Sequence, residues 1–238
     1  MTDVFGRLLR DHHAGGRRGT AAHVRSDGVS WAATCARYFA PPSEWSATER
    51  EMVAALGGRV LDAGCGAGRT ALCLRDRESV ASVVAADRSP GAVRVARDRG
   101  VDRAVVADID RPGLAGPFDG VAVLGGQVAA TGTLAALREQ RLAALAAVTA
   151  PGGRLVADLA RPTEHDRDGL DGDGVDVVDD GVYRRRFRLA YAGATGPWID
   201  LLLFEPAAAE RVLSDHPDWA LVETAVTESQ TWVALERR

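Results

Sequence analysis

The sequence of 238 residues predicts an α/β fold with a doubly wound, mostly parallel sheet, and three observations carry that prediction. Between residues 59 and 160, short apolar runs alternate with helical stretches. The first run ends in an aspartate followed by three glycines at alternate positions, and a helix opens directly after them. Beyond residue 160 the order changes to two longer strands, a helix and a closing hairpin. Short, continuously apolar runs fit strands whose two faces are both covered by helices.

Asp3 to His13 reads as a helix with Val4, Leu8 and Leu9 on one face, ending at Gly15-Gly16. Turn signals at Gly19 and Ser26-Asp27-Gly28 lead to an aromatic segment, Trp31 to Phe39, stopped by Pro41-Pro42. Ser46-Ala47-Thr48-Glu49 is a capping box that opens a helix running to Leu56. Strands are predicted at Arg59–Leu61, Val80–Ala86, Arg103–Ala107, Phe118–Leu124 and Arg154–Leu159, the last after a Pro151-Gly152-Gly153 turn. Helices over Arg69–Arg75, Pro90–Arg99 and Thr131–Val148 lie between them. Residues 161–180 are polar, acidic and Gly-rich and read as loop. Val182–Tyr191 and Trp198–Phe204 form a late β-hairpin, Pro206–Ser214 a helix, and Trp219–Val226 with Thr231–Glu236 the closing hairpin. The organisation is an N-terminal helical cap over residues 1–45 and one α/β domain over 46–238, with the insertion at about 161–204.

Composition narrows the function classes. All 29 basic residues are arginine, so chemistry that needs a lysine nucleophile or Schiff base is excluded. The net charge of −4 argues against nucleic acid, whose phosphates are met by a basic face. Cys35, Cys65 and Cys73 are odd in number and contain no C-x-x-C pair, which speaks against a disulfide framework or a zinc site. No apolar run reaches the roughly 20 residues that span a bilayer, and the N-terminus lacks a signal-peptide layout, so a cytoplasmic protein without membrane contact is expected. Asp168 to Asp180 does not follow the order of a calcium loop, and no metal site is expected there or elsewhere.

The most informative stretch is Val60-Leu61-Asp62-Ala63-Gly64-Cys65-Gly66-Ala67-Gly68-Arg69. Glycines at this strand-to-helix turn let a ligand lie against bare main chain, and the N–H groups at the helix start favour a negatively charged group. The dinucleotide fingerprint Gly-x-Gly-x-x-Gly fails, because position 69 is arginine. Val83-Val84-Ala85-Ala86-Asp87 then places a carboxylate at the end of the second strand, where it can accept from both ribose hydroxyls. Val105-Val106-Ala107-Asp108-Ile109 ends the third strand with another.

This Asp-x-Gly-x-Gly-x-Gly loop resembles motif I of the class I S-adenosylmethionine-dependent methyltransferases. Phe118-Asp119-Gly120-Val121-Ala122-Val123-Leu124 is similar to that family's fourth-strand motif, and Pro151-Gly152-Gly153-Arg154-Leu155 to its post-helix turn. The resemblance, over roughly residues 46 to 160, implies the Rossmann-like seven-stranded sheet of that family and S-adenosyl-L-methionine as cofactor, with S-adenosyl-L-homocysteine as product. It implies that Asp62, Gly64, Cys65, Gly66 and Gly68 surround the methionine part, Asp87 the ribose, and Asp108 and Ile109 the adenine, with Arg88 and Leu124 as further cofactor-binding residues. No universal catalytic residue is implied, because displacement from a sulfonium leans on positioning.

The tetrapeptide of amino-directed nucleic acid methylases is absent at Leu124-Gly125-Gly126-Gln127, and no protein- or RNA-reading module is visible. A small-molecule acceptor is therefore expected. His23 has the side chain for general-base work and Tyr38 that for a cation–π contact to the sulfonium, which makes them the catalytic candidates. Gln127 and Arg185 are the acceptor-binding candidates, Arg185 because strand alternation sets it beside Tyr183, Phe187 and Leu189. Alternatives are a cofactor-binding protein with cyclisation or elimination chemistry, a non-catalytic accessory protein, or a nicotinamide-dependent dehydrogenase.

Overall fold

The computed structural model describes residues 2–16, 19–111, 113–168 and 174–238. The first helix, α1 (Val4–His13), is capped by Asp3 and buries Val4, Leu8 and Leu9, the face its apolar spacing predicts. A hairpin of β1 (Ala21–Arg25) and β2 (Ser30–Ala32) follows, then tight turns at Cys35–Tyr38 and Pro42–Glu44. Helix α2 (Ala47–Ala54) starts where Ser46 accepts from the Glu49 N–H. The alternating region runs β3 (Gly58–Ala63), α3 (Arg69–Arg75), β4 (Val80–Asp87), α4 (Pro90–Asp98), β5 (Ala104–Val106) and β6 (Phe118–Val123). A π-helical coil, Ala136–Leu142, passes into α5 (Ala143–Val148) and then β7 (Thr149–Ala160).

These strands and the closing hairpin, β12 (Trp219–Val226) and β13 (Gln230–Arg237) in chain numbering, form a seven-stranded sheet in the order β12-β13-β7-β6-β3-β4-β5. Strands β3 to β7 are parallel, and β13 alone runs against the rest, pairing antiparallel with both β7 and β12. The sheet is two-faced at period two: Leu61, Val121, Val123, Leu155 and Ala157 enter one apolar cluster, while Val60, Ala122 and Val156 enter another with Met52, Val53 and Leu56. Because β4 and β6 lie on opposite sides of β3, the strand order reverses there, and the crevice of a doubly wound sheet opens at its C-terminal end.

Between β7 and β12 lie α6 (Glu164–Asp168), β8 (Val175–Asp179), β9 (Val182–Tyr191), β10 (Ala194–Thr195), β11 (Ile199–Phe204) and α7 (Pro206–Ser214). Three expectations change here. Residues 161–180 are not simply loop: α6 and β8 are regular, while 169–173 of the acidic stretch lie outside the described residues. The cap is not only helical, because β1 pairs antiparallel with β9, setting Ala21 against Tyr191 and Arg25 against Phe187. The late hairpin is accordingly part of a six-stranded sheet that includes both strands of the cap. Pro151-Gly152-Gly153 lies within β7, where the register against β6 jumps from Phe118↔Thr149 to Gly120↔Arg154.

The union of cap and insertion has a buried ionic centre. Asp166, 2% exposed, accepts from Arg185 at 3.0 Å and faces Arg25 at 3.7 Å, and the Thr163 N–H and hydroxyl also donate to it. Arg25 in turn forks onto Asp27 at 2.6 Å. Asp166→Ala removes the carboxylate between two cations and is expected to lower the unfolding free energy by about 2–4 kcal/mol. Urea denaturation should show a lower midpoint at unchanged slope, and an unmoved midpoint would deny the centre its stabilising role.

Candidate active site

The glycine loop leaves β3 over the end of β4. The N–H groups of Gly64 and Cys65 both donate to the Ala86 carbonyl, at 2.8 and 3.0 Å, and the Gly66 N–H donates to Asp87 Oδ2 at 2.9 Å. This tight path needs left-handed backbone at Gly64, Gly66 and Gly68, with φ of +86°, +54° and +79°. A Cβ on Gly68 would stand 2.8 Å from Val101 Cγ2, so the third glycine lets the loop meet the Val101 side chain. Asp62 lies beneath the loop, 2% exposed, accepting from the Ala71 N–H of α3 at 3.1 Å. Burial pushes its carboxyl up to about 7, with the Ala71 N–H and Arg69 opposing and Asp87 adding to the rise. Burial, with Asp62 and Asp87 nearby, also pushes the Cys65 thiol well up, which keeps it a neutral thiol.

Asp87 holds two backbone donors, Gly66 N–H on one oxygen and Ser89 N–H at 2.8 Å on the other. Each oxygen retains a further lone pair. Burial raises its pKa, and Asp3 adds to the rise. Asp3 itself caps two helices: its carboxylate accepts from Gly6 N–H of α1, and from Ser89 Oγ and Gly91 N–H at the start of α4, all at 2.8 Å. The two helices cross closely enough that a Cβ on Gly6 would stand 2.6 Å from the Gly91 Cα. Phe5 and Tyr38 are thereby laid against the loop, 3.9 and 3.5 Å from where a Gly66 Cβ would be. Arg99 fastens this lid by donating to the Ala67 carbonyl at 2.6 Å and to the Tyr38 and Phe39 carbonyls at 3.5 and 3.4 Å.

At the far side of the crevice, Asp108 is exposed and Ile109 half-buried, at the turn after β5. Asp110, two residues on, is forked by Arg141 of the π-helical coil, whose guanidinium also donates to the carbonyls of Gln127 and Ala130. Arg141 thus ties the turn after β5 to the turn after β6. The latter is also held by Asp158, 1% exposed at the end of β7, which accepts from Gly125 and Gly126 N–H at 2.6 and 3.0 Å and from Gln230. Sequence reasoning missed Asp158, Arg141 and the second role of Asp3. Asp158 had a signal, for it is a carboxylate set inside the apolar strand Arg154–Leu159. Gln127 lies against Gly64, its Cγ 3.1 Å from where a Cβ would be, and Leu124 packs into the core with Trp45 and Trp232. Arg88 is exposed beside Asp87.

His23 and Tyr38 come together in one cavity of about 210 Å³, between α1, the β1–β2 hairpin, the Cys35–Tyr38 turn and β9. His23 is wedged between Trp31 and Phe187, with ring centroids 5.4 and 5.3 Å away. The expectation of a pKa suited to base chemistry fails: burial, with Arg37 and Arg185 nearby, lowers it to about 4. Tyr38 already carries a cation, since the Arg37 guanidinium lies 5.0 Å from its ring centre. Arg185 is on the predicted face, 5.3 Å from the Trp31 ring, but its charge is paired with Asp166 and is not free for an acidic ligand.

Two predictions follow from this geometry. Gly6→Ala forces α1 away from α4 and should raise hydrogen exchange and protease cutting in α1, with the β3 and β6 amides unchanged. For His23, the native state disfavours the proton, so its ionisation costs stability as pH falls from 6.5 towards 4. Asp62, with its raised pKa, contributes the opposite slope below pH about 7. His23→Phe should therefore lose about 2–3 kcal/mol less than wild type on acidification through the histidine window. A wild-type imidazole midpoint near 6.5 in an NMR titration would contradict the environment described.

Residues 60–153 match the model of a family described as a methyltransferase domain. No curated protein matches the chain significantly. Among solved structures, the chain is similar to an S-adenosylmethionine-dependent methyltransferase from Bacteroides fragilis in complex with S-adenosyl-L-homocysteine, with 20% identity, a TM-score of 0.78, and coverage of 99% of this chain and 94% of that one. It is also similar to an amino pentose methyltransferase from Micromonospora echinaspora, with 22% identity, a TM-score of 0.51, and coverage of 79% and 86%. A third is the 1,6-didemethyltoxoflavin-N1-methyltransferase of Burkholderia thailandensis, with 18% identity, a TM-score of 0.54, and coverage of 80% and 78%. The glycine loop and the switch at β3 thus lie in the stretch that matches a methyltransferase domain, and the chain, with its reversed β13, has the fold of the class I S-adenosylmethionine-dependent methyltransferases.

Proposed function

We propose that this chain transfers the methyl group of S-adenosyl-L-methionine to a small-molecule acceptor. The carrying observation is the glycine loop held over β4 by Ala86 and Asp87 and covered by Phe5 and Tyr38. The residues present fit the cofactor. Bare backbone at Gly64 to Gly68 leaves room for the methionine part, and the second lone pairs of Asp87 suit a ribose diol. Asp108 and Ile109 offer an exposed acceptor and an apolar surface for adenine. Leu124 contributes through its main chain, because its side chain is buried in the core, and Arg88 stands at the rim beside Asp87.

S-adenosylmethionine, when bound, supplies a methyl carbon activated by a sulfonium for in-line displacement. The chain's own residues orient and enclose the reactants, which suits a reaction whose charge is dispersed in the transition state. Phe5 and Tyr38 keep water from the loop. His23, neutral above pH about 5, offers one donor and one acceptor nitrogen to an occupant of the cavity. Gln127, against Gly64, faces the junction of cofactor and acceptor. Residues 1–45 and the insertion at about 161–204 act as one acceptor-facing unit on the domain of residues 46–238, since their strands share a sheet.

The acceptor is a metabolite-sized molecule and not nucleic acid, consistent with a 210 Å³ cavity and a net charge of −4. The amino pentose and didemethyltoxoflavin enzymes, both similar in fold, take small molecules by their names. No helix among the described residues is long and apolar enough to cross a membrane. Cys35, Cys65 and Cys73 are in no disulfide among the described residues, which suits a reducing cytoplasm.

Calorimetric titration with S-adenosylmethionine, with NADH as the comparison ligand, tests the cofactor. Micromolar binding of the sulfonium alone is expected, and preference for NADH would overturn the proposal. Asp87→Ala should weaken cofactor binding by about ten- to hundredfold, or roughly 1.5–3 kcal/mol. Asp87→Asn, which keeps one carbonyl acceptor, should weaken it less. Formation of S-adenosylhomocysteine with an acceptor library separates methyl transfer from cyclisation or elimination, which do not yield it.

A further inference from the structure

The cavity that holds His23 and Tyr38 has a one-sided charge. Its walls combine Phe5, Leu8, Trp31, Tyr38 and Leu189 with the polar His23, Thr34 and Arg37, and none of the residues lining it is a carboxylate. The neighbouring arginines are already engaged. Arg185 pairs with Asp166, Arg69 with Glu49, and Arg99 donates to three main-chain carbonyls. Arg37 differs: its side chain is exposed, and among the described residues no carboxylate lies at ion-pair distance from it. It lines the cavity, stacks over Tyr38, and comes within 4.0 Å of where a Gly125 Cβ would stand. Its charge is therefore directed at the boundary between the cavity and the turn after β6.

We propose that this cavity selects a planar, single-ring organic acid, with the anionic group on Arg37 and the ring against Trp31 and Tyr38. A guanidinium offers a carboxylate two parallel donors, and Arg37 presents them at the exposed mouth of the cavity. A volume of about 210 Å³ lies below the roughly 300 Å³ at which drug-sized pockets begin, which limits the occupant to about one ring with short substituents. The His23 and Trp31 rings, 5.4 Å apart and each in contact with Phe187 behind them, form a wall suited to offset or edge contact with a flat ligand. His23 stays neutral beside these cations, so it leaves the anion to Arg37 and adds a hydrogen-bonding nitrogen. This inference names the acceptor class for the methyl transfer proposed above and rests on that reading for the cofactor.

The test titrates benzoate and salicylate against benzamide and salicylamide, with and without saturating S-adenosylhomocysteine, after binding of S-adenosylhomocysteine itself has been measured. Wild type should bind each acid about tenfold or more tightly than its amide. Arg37→Lys should keep that preference, and Arg37→Gln should abolish it while S-adenosylhomocysteine still binds. Equal affinity for acid and amide, absence of acid binding at millimolar concentration, or a preference that survives in Arg37→Gln would overturn the proposal. Failure of S-adenosylhomocysteine to bind would overturn the cofactor reading separately, and the acid–amide comparison on the free protein would still decide the charge preference of the cavity.

Discussion

Three successive backbone N–H groups, those of Gly64, Cys65 and Gly66, point at the last two residues of β4. The rest of the site depends on this small set of hydrogen bonds. A main chain leaving a buried parallel strand must satisfy its donors within a few residues, and here the Ala86 carbonyl and the Asp87 carboxylate take all three. That choice presses the loop over β4 and gives Asp87 its place inside the crevice. The same carboxylate also takes the Ser89 N–H, so the start of α4 and the loop share one anchor.

Asp3 extends this anchor to the cap. A carboxylate shared by two helix starts complements the partial positive charge of both, and it requires the helices to approach within backbone contact. Gly6 and Gly91 permit that approach because neither carries a Cβ. The lid over the glycine loop is thus held by polar groups at one end of α1 and by the apolar face of Val4, Leu8 and Leu9 along its length. At roughly 1.5–3 kcal/mol for each buried side chain, the apolar face contributes the larger part of the docking.

Elsewhere, buried charge appears in compensated groups. Asp158 takes three donors, Asp166 sits between two arginines, and Arg141 bridges Asp110 to the turn after β6. Each group ties together segments far apart in the chain, Asp158 and Arg141 at the rim of the crevice and Asp166 between the cap and the insertion. Arg37 is exposed and belongs to none of these groups, and its guanidinium lies over Tyr38 at the cavity mouth.

The glycine loop, the alternation of strand and helix from Arg59 to Leu159, and the closing hairpin were legible in the sequence because each is written in local periodicity and turn chemistry. The carboxylates at the strand ends were legible for the same reason, since an acid closing an apolar run marks the C-terminal rim of a parallel sheet. Tertiary structure alone decided that the cap hairpin and the late insertion share one sheet, for the pairing of Ala21–Arg25 with Phe187–Tyr191 joins chain-distant segments with no local signal. It also decided which ionisable groups are available. Burial lowers His23 and raises Asp62, and Asp166 claims Arg185. A side chain's identity sets its possible chemistry, but its charge at neutral pH and its freedom to meet a ligand depend on dielectric and partners that only the folded chain assembles.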